Sequence, residues 1–232
     1  MKSLIARAAI TAATAFATPA AGAVYTASAN GETAFVTAFQ FDGSSAEFYG
    51  HTYVSGSANT PVDLARSDAA VFFFLESATS GSGAVSVGLL LDAPRDGTPG
   101  RTELRVSGHL EGASVAASDD DGEFDGAAMR GSFTWWACCS DGVLLDGVPD
   151  APLALSFAFE GSAGLSAVYV ASPDGQGGAR LTQLGKGMAD IVTLGGGLSA
   201  ALSQDVPVPA AFPLLAGGLA ALGAARLRGR RG

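Results

Sequence analysis

Cysteine is nearly absent from this chain: Cys138 and Cys139 are the only two in 232 residues. That excludes a small disulfide-knit fold and a cysteine-rich zinc module, both of which need several spaced thiols. Histidine is as scarce, at His51 and His109, and the chain carries neither an H-E-x-x-H pair nor a G-x-S-x-G elbow. Positive charge is in short supply too. Lys and Arg number 13 against 22 Asp and Glu, for a net charge of −9, so no basic surface exists to hold nucleic acid. The interior shows no sustained helical stripe and no repeat strong enough to define an array.

What the chain does have is concentrated first at its two extremities. Met1, Lys2 and Arg7 precede an apolar run, Ala8–Ala17, then Pro19 and the small residues Ala21-Gly22-Ala23. This is the layout of a secretory signal over residues 1–23, with Ala21 and Ala23 at the positions a signal peptidase reads and cleavage expected after Ala23. An uncleaved anchor is the alternative, but the run is short and alanine-rich for a span of about 20 residues.

Residues 205–232 have three parts. Val206, Pro207, Val208, Pro209 and Ala210 form a proline-bearing motif, Ala211–Ala225 is apolar, and Arg226, Arg228, Arg230 and Arg231 close the chain. The 16 residues from Ala210 to Ala225 would cover roughly 24 Å as a helix against a hydrocarbon core of about 30 Å. Pro213 and Gly217-Gly218 weaken it further. It is a marginal span suited to transient retention, and the arginines would hold the terminus on the cytoplasmic side.

This tail resembles the VPLPA-CTERM variety of the PEP-CTERM sorting signals, with Val208 where the family has Leu. The resemblance implies recognition by an exosortase-type membrane protease, after the export machinery and signal peptidase have acted. It further implies delivery to the cell surface or the extracellular space. It covers about 27 of 232 residues and says nothing about the rest.

With both ends removed, seven basic residues face all 22 acidic ones, an excess of 15 negative charges. Simple solubility outside the cell is the favoured reading of such a surface, and attraction of divalent cations the alternative. Residues 24–204 suffice for one domain with a substantial core. Apolar runs at Thr33–Phe41, Ala46–Val54, Ala70–Glu76, Ala84–Leu91 and Thr102–Leu110 are expected strands, as are Met129–Trp136, Leu153–Glu160, Leu165–Ala171 and Met188–Leu194. Leu153, Leu155, Phe157 and Phe159 fall on one face, and Leu104 and Val106 lie opposite Arg105 and Ser107. Phe72-Phe73-Phe74 is apolar on both faces and belongs in a central strand. Turns such as DGSS and SPDGQGG separate the runs. The expected class is all-β, an antiparallel β-sandwich or jelly roll, flanked by the signal helix and the C-terminal hydrophobic helix.

Three local features are candidates for chemistry. The run Asp119–Asp125 offers hard oxygens for Ca²⁺ at Asp119, Asp121, Glu123 and Asp125, yet Phe124 stands where an EF-hand loop needs glycine. A solvated turn is the favoured reading. Cys138-Cys139 has three fates: a vicinal disulfide (favoured), two free thiols, or an intermolecular bridge. Neighbouring Cα atoms are about 3.8 Å apart, short of the usual disulfide range. A zinc site from these thiols and the two histidines is disfavoured, because adjacent cysteines chelate one tetrahedral ion poorly. Trp135 and Trp136 must point to opposite sides of a strand, leaving at most one in the core.

The function expected first is an exported, non-enzymatic surface or matrix protein of structural or adhesive role, with no cofactor. A carbohydrate- or Ca²⁺-binding module of the extracellular polysaccharide comes second. A secreted hydrolase comes third; it needs His51 or His109 in a cleft with a carboxylate and a nucleophile.

Overall fold

The computed structural model describes residues 23–50 and 62–198. Within them the chain forms β1 (Val24–Ala29), β2 (Glu32–Thr37), β3 (Phe39–Phe41), α1 (Ser45–Tyr49), β4 (Ala69–Ser77) and β5 (Ala84–Leu91). Then come β6 (Gly100–Gly108), β7 (Ser114–Ser118), β8 (Phe124–Asp125), β9 (Arg130–Trp135) and β10 (Asp141–Pro149). The last four are β11 (Leu153–Ala163), β12 (Ala167–Pro173), β13 (Ala179–Gln183) and β14 (Ile191–Leu198). The signal segment, the sorting tail and its expected helix, and His51 lie outside the described residues. No helix among the described residues is long and apolar enough to cross a membrane.

The strands make two seven-stranded groupings packed as an all-β sandwich. Sheet one runs β2-β1-β14-β11-β6-β9-β8; sheet two runs β13-β12-β4-β5-β10-β7, with β3 also on β4. Sheet one is antiparallel throughout, and period two explains it. Leu153, Leu155, Phe157 and Phe159 of β11 and Leu104 and Val106 of β6 are buried, whereas Arg101, Glu103 and Arg105 face water. Sheet two departs from the expected antiparallel pattern. Both β12 and β3 pair with β4 in parallel, along Ala69–Phe72 and Leu75–Ser77.

Inward side chains from the two sheets form one core. Tyr25 of β1 stacks on Phe74 of β4 at 4.5 Å between ring centroids, and Phe72 meets Phe157 edge-on at 5.0 Å. Each such buried ring contributes about 1.5–3 kcal/mol. Sheet two is covered on its outer face as well. There Phe39, Phe48, Tyr49, Leu64, Phe73 and Leu90 make a second cluster. This is why Phe72, Phe73 and Phe74 are all buried: successive rings go to opposite faces, and both faces are dry. Gly88 lies opposite Phe73 in the ladder, and any side chain there would collide with that ring.

Two expected strands are corrected. The run Thr33–Phe41 breaks at Ala38, sending β2 to sheet one and β3 to sheet two. Within Ala46–Val54 the described part is helix α1, not strand. The reason is a capping box: the Ser44 hydroxyl accepts from the Glu47 N–H, while the Glu47 carboxylate accepts from the Ser44 N–H at 2.7 Å. Gly50 closes the helix in the left-handed conformation. Strands β1, β7, β8, β10 and β13 were not expected from pattern. β10 hides because its opening Asp141-Gly142 reads as a turn.

Registers and short connections fix the two ends of the sandwich. Val24 pairs with Leu198, Gly196 with Leu153, and Leu155 with Gly108, which places the first and last described strands side by side at one end. At the other end Gly100 pairs with Trp135, Leu91 with Ala70 and Asp141, and Ala167 with Ala69. Residues 164–166 and 136–140 join the sheets there.

Candidate functional site

Topology gathers carboxylates at the end remote from Val24 and Leu198. They form two groups on neighbouring strands of sheet two.

The first group surrounds the start of β10. Asp119 and Asp141 are each only 3 % exposed, and the Asp119 N–H donates to the Gly142 carbonyl. Burial, then the Glu123 charge and a hydrogen bond with Glu123, push the Asp141 carboxyl up to about 9, against the pull of the Gly142 N–H. Burial, then Asp120 and Glu123, raise Asp119 to about 7. Glu123 is itself raised, by burial first, and its carboxyl hydrogen-bonds that of Asp141. The Tyr49 hydroxyl, brought in by α1, is fully buried and has no hydrogen-bond partner among the described residues. Burial and the Asp119, Asp141 and Glu123 charges hold it well above the ordinary phenol range. Gly142 is required beside it, since a Cβ would strike the Leu89 carbonyl and lie 2.7 Å from the Tyr49 hydroxyl.

The expected solvated turn at 119–125 is therefore solvated only in part. Asp121 is exposed, and Asp125 caps its own turn, its Oδ1 accepting from the Ala127 and Ala128 N–H groups at 2.9 and 3.1 Å. Asp119 and Glu123 turn inward toward Asp141. The four Ca²⁺ candidates thus do not converge on one point. Glu123 and Asp125 instead line an open cleft of about 370 Å³ with Glu103, Arg105, Arg130 and Glu160. Its walls are mixed-sign and polar, unlike the apolar cavities that hold small organic ligands.

The second group was missed in the sequence because its members lie in separate loops. Asp68 precedes β4, Asp92 follows β5, and Asp96 sits in the β5–β6 loop; one carboxylate oxygen of each lies within 4.8 Å of the others. Asp92 Oδ1 accepts from the Asp68 N–H at 2.8 Å, and Asp96 Oδ1 from the Thr98 N–H at 2.7 Å. Burial, then contact with Asp96, raise the Asp92 carboxyl to about 6 against the pull of the Asp68 and Ala93 N–H groups. Asp68 and Asp92 are both left-handed, at φ 55° and 67°, a conformation in which Asp is over-represented. Spacings of 24 and four residues carry no recognisable metal motif, so only the fold reveals the triad.

Between the groups runs the turn Trp136–Cys139. Cys138 and Cys139 are joined by a disulfide, with their Cα atoms 3.8 Å apart. The turn is closed by the Cys139 N–H donating to the Trp136 carbonyl. Its Ala137 and Cys138 carbonyls accept from the Gly97 and Arg95 N–H groups at 3.2 and 3.0 Å, which fastens the loop bearing Asp92 and Asp96. Trp135 is buried in the core, while Trp136 is 73 % exposed at this same end.

His109 is exposed at the opposite end, its Nδ1 3.3 Å from the Pro152 carbonyl. It is not brought to either carboxylate group. The other histidine that a hydrolase could use, His51, lies outside the described residues. Comparison with known proteins finds no match: no family model, curated protein or solved structure aligns with the chain.

Proposed function

We propose that this chain is an exported surface or matrix protein whose acidic β-sandwich is carried out by its N-terminal signal and sorted by its C-terminal tail. The sandwich acts structurally or adhesively, and no catalytic residue is assigned. One observation supports the reading above the others. Val24 is the register partner of Leu198, so residues 1–23 and 199–232 both join the sandwich at one end. The carboxylate groups and Trp136 stand at the other. A body held or released through its termini would present that acidic end outward.

The partners follow from the address: export machinery and signal peptidase at Ala21 and Ala23, then an exosortase-type protease at Val206–Ala210, with Arg226–Arg231 as the basic stop. The span Ala211–Ala225 serves as a transient inner-membrane anchor in a flanking helix. Fractionation of cells with and without the sorting protease, with mass spectrometry of the mature ends, tests it. Loss of residues before Val24 and beyond roughly Val206 is expected. An extracellular product still carrying the Arg226–Arg231 peptide would sink the proposal.

A second reading, binding to extracellular polysaccharide, is favoured by Trp136. An exposed indole on a turn braced by a disulfide is a stacking platform for a sugar ring. Calorimetry against the producing cell's own polysaccharide should give heat that Trp136→Ala removes; silence from the unaltered protein counts against this reading.

A further inference from the structure

We propose that Asp68, Asp92 and Asp96 form a Ca²⁺ site clamping the start of β4 to the end of β5, at the end of the sandwich remote from Val24 and Leu198. The proposal stands on the fold and not on the export reading.

Three carboxylates in proximity do not by themselves make a site; the unsatisfied atoms do. Asp92 is 1 % exposed, and its Oδ2 is buried without a hydrogen-bond partner. Asp68 Oδ1 and Asp96 Oδ2 are buried and partnerless as well. The remaining oxygens of Asp92 and Asp96 are already held by backbone N–H groups. Asp92 and Asp96 are thus each oriented through one oxygen and left bare at the other. Unpaired buried carboxylate oxygens are strongly unfavourable, and three together add mutual repulsion.

Among the described residues no lysine or arginine forms an ion pair with any of the three. A single proton between Asp92 and Asp96 would leave the Asp68 oxygen bare and two negative charges in place. One dication meets all three oxygens at once.

The spacing suits the ion. Oxygens sharing one Ca²⁺ at about 2.3–2.6 Å can be at most about 5.2 Å apart, and one carboxylate oxygen from each of the three aspartates lies within 4.8 Å of the others. Asp68 and Asp96 are half-buried, which leaves an opening for the ion and for waters to complete its shell. Ca²⁺ accepts such an irregular mixture of carboxylates and water, whereas Mg²⁺ demands near-ideal octahedral geometry. The hydrogen bonds from Arg95 and Gly97 to the Cys138 and Ala137 carbonyls pre-set the loop, lowering the ordering cost of binding.

The test is calorimetry and thermal unfolding of the full-length chain in mild detergent, with CaCl₂ alone as the probe after chelator treatment. One Ca²⁺ per chain is expected, with Kd on the order of 10⁻⁴–10⁻³ M as in extracellular modules, and a rise in Tm that MgCl₂ does not reproduce. Asp92→Asn and the half-buried Asp96→Asn should each weaken binding about tenfold or more, since affinity follows ligand charge. Both should also raise the Tm of the metal-free protein by relieving repulsion, a change that loss of a merely structural hydrogen bond would not produce. No Ca²⁺-dependent rise in the unaltered chain, an equal response to Mg²⁺, or loss of binding in Asp121→Asn with Asp92→Asn unaffected would each overturn the assignment.

Discussion

Strand β10 carries one aspartate near each of its ends, and the two are treated in opposite ways. Asp146 is surrounded by donors. Its Oδ2 accepts from the Ser45 and Thr79 hydroxyls at 2.7 and 3.1 Å, and its Oδ1 from Ser86 and the Gly147 N–H at 2.8 and 2.9 Å. Burial pushes its carboxyl up, but those four donors outweigh burial and hold it below the usual range. Asp141 accepts one N–H, from Gly142, and otherwise meets carboxylates. One end of sheet two is thus locked by satisfied hydrogen bonds, while at the other Asp141 has a single backbone donor and carboxyl neighbours. The difference teaches where to look for chemistry: unmet electrostatic demand, not acidity as such, marks the end remote from Val24 and Leu198.

The sharpest way to break that contrast is at its satisfied end. Asp146→Ala strands the Ser45 and Ser86 hydroxyls and the Gly147 N–H, so urea unfolding should show a loss of about 2–4 kcal/mol. A loss under about 1 kcal/mol would mean the hub is not structural.

The Asp141 end answers to pH. Asp119 and Asp141 have folded pKa values near 7 and 9, above about 3.9 in the unfolded chain. Between those limits the folded state binds more protons. Their contribution to stability is therefore full below about pH 3.9 and falls as pH rises, until about 7 for Asp119 and about 9 for Asp141, by at most about 1.4 kcal/mol per pH unit per group. In chelator, Tm should be higher at pH 5.5 than at pH 8.5. Asp141→Asn, which keeps the Oδ1 acceptor for Gly142, should flatten the alkaline limb and raise Tm there. An unchanged profile in that variant would remove Asp141 from the account.

The mildest expected effect is on α1, which links the ends through Ser45 at Asp146 and Tyr49 beside Asp141. Ser44→Ala removes half of its capping box and should cost about 1 kcal/mol. A cost indistinguishable from zero would show the helix held by packing of Phe48 and Tyr49 alone.

Much of sheet one could be read from sequence, because one of its faces is wet. Arg105 between Leu104 and Val106 reports its own orientation, and β11 alternates cleanly from Leu153 to Phe159. Sheet two was legible in part. Phe72–Phe74 and Ala84–Leu91 announce burial by sheer apolarity, but such runs carry no period and so conceal direction and partners. The parallel pairing of β3 and β12 with β4 was for that reason unreadable. Short α1 misled because Phe48 and Tyr49 favour strands, while the Ser44–Glu47 box that decides the matter spans four residues.

The candidate site was legible least. The run 119–125 is conspicuous in sequence, yet its exposed members stand apart, and its inward ones answer to Asp141, 18 residues past Glu123. Asp68, Asp92 and Asp96 show no mutual relation in the chain at all.

Sequence by itself determined what depends on composition and local pattern. Few cations, scarce cysteine and histidine, period-two runs between turns, and an apolar tail before an arginine cluster set class, charge and the expected address, since each acts through neighbours in the chain. Only tertiary structure decided which carboxylates meet, which are starved of donors, and that they gather opposite Val24 and Leu198. Burial and proximity are properties of strands brought together across dozens of residues, and no local signal encodes them.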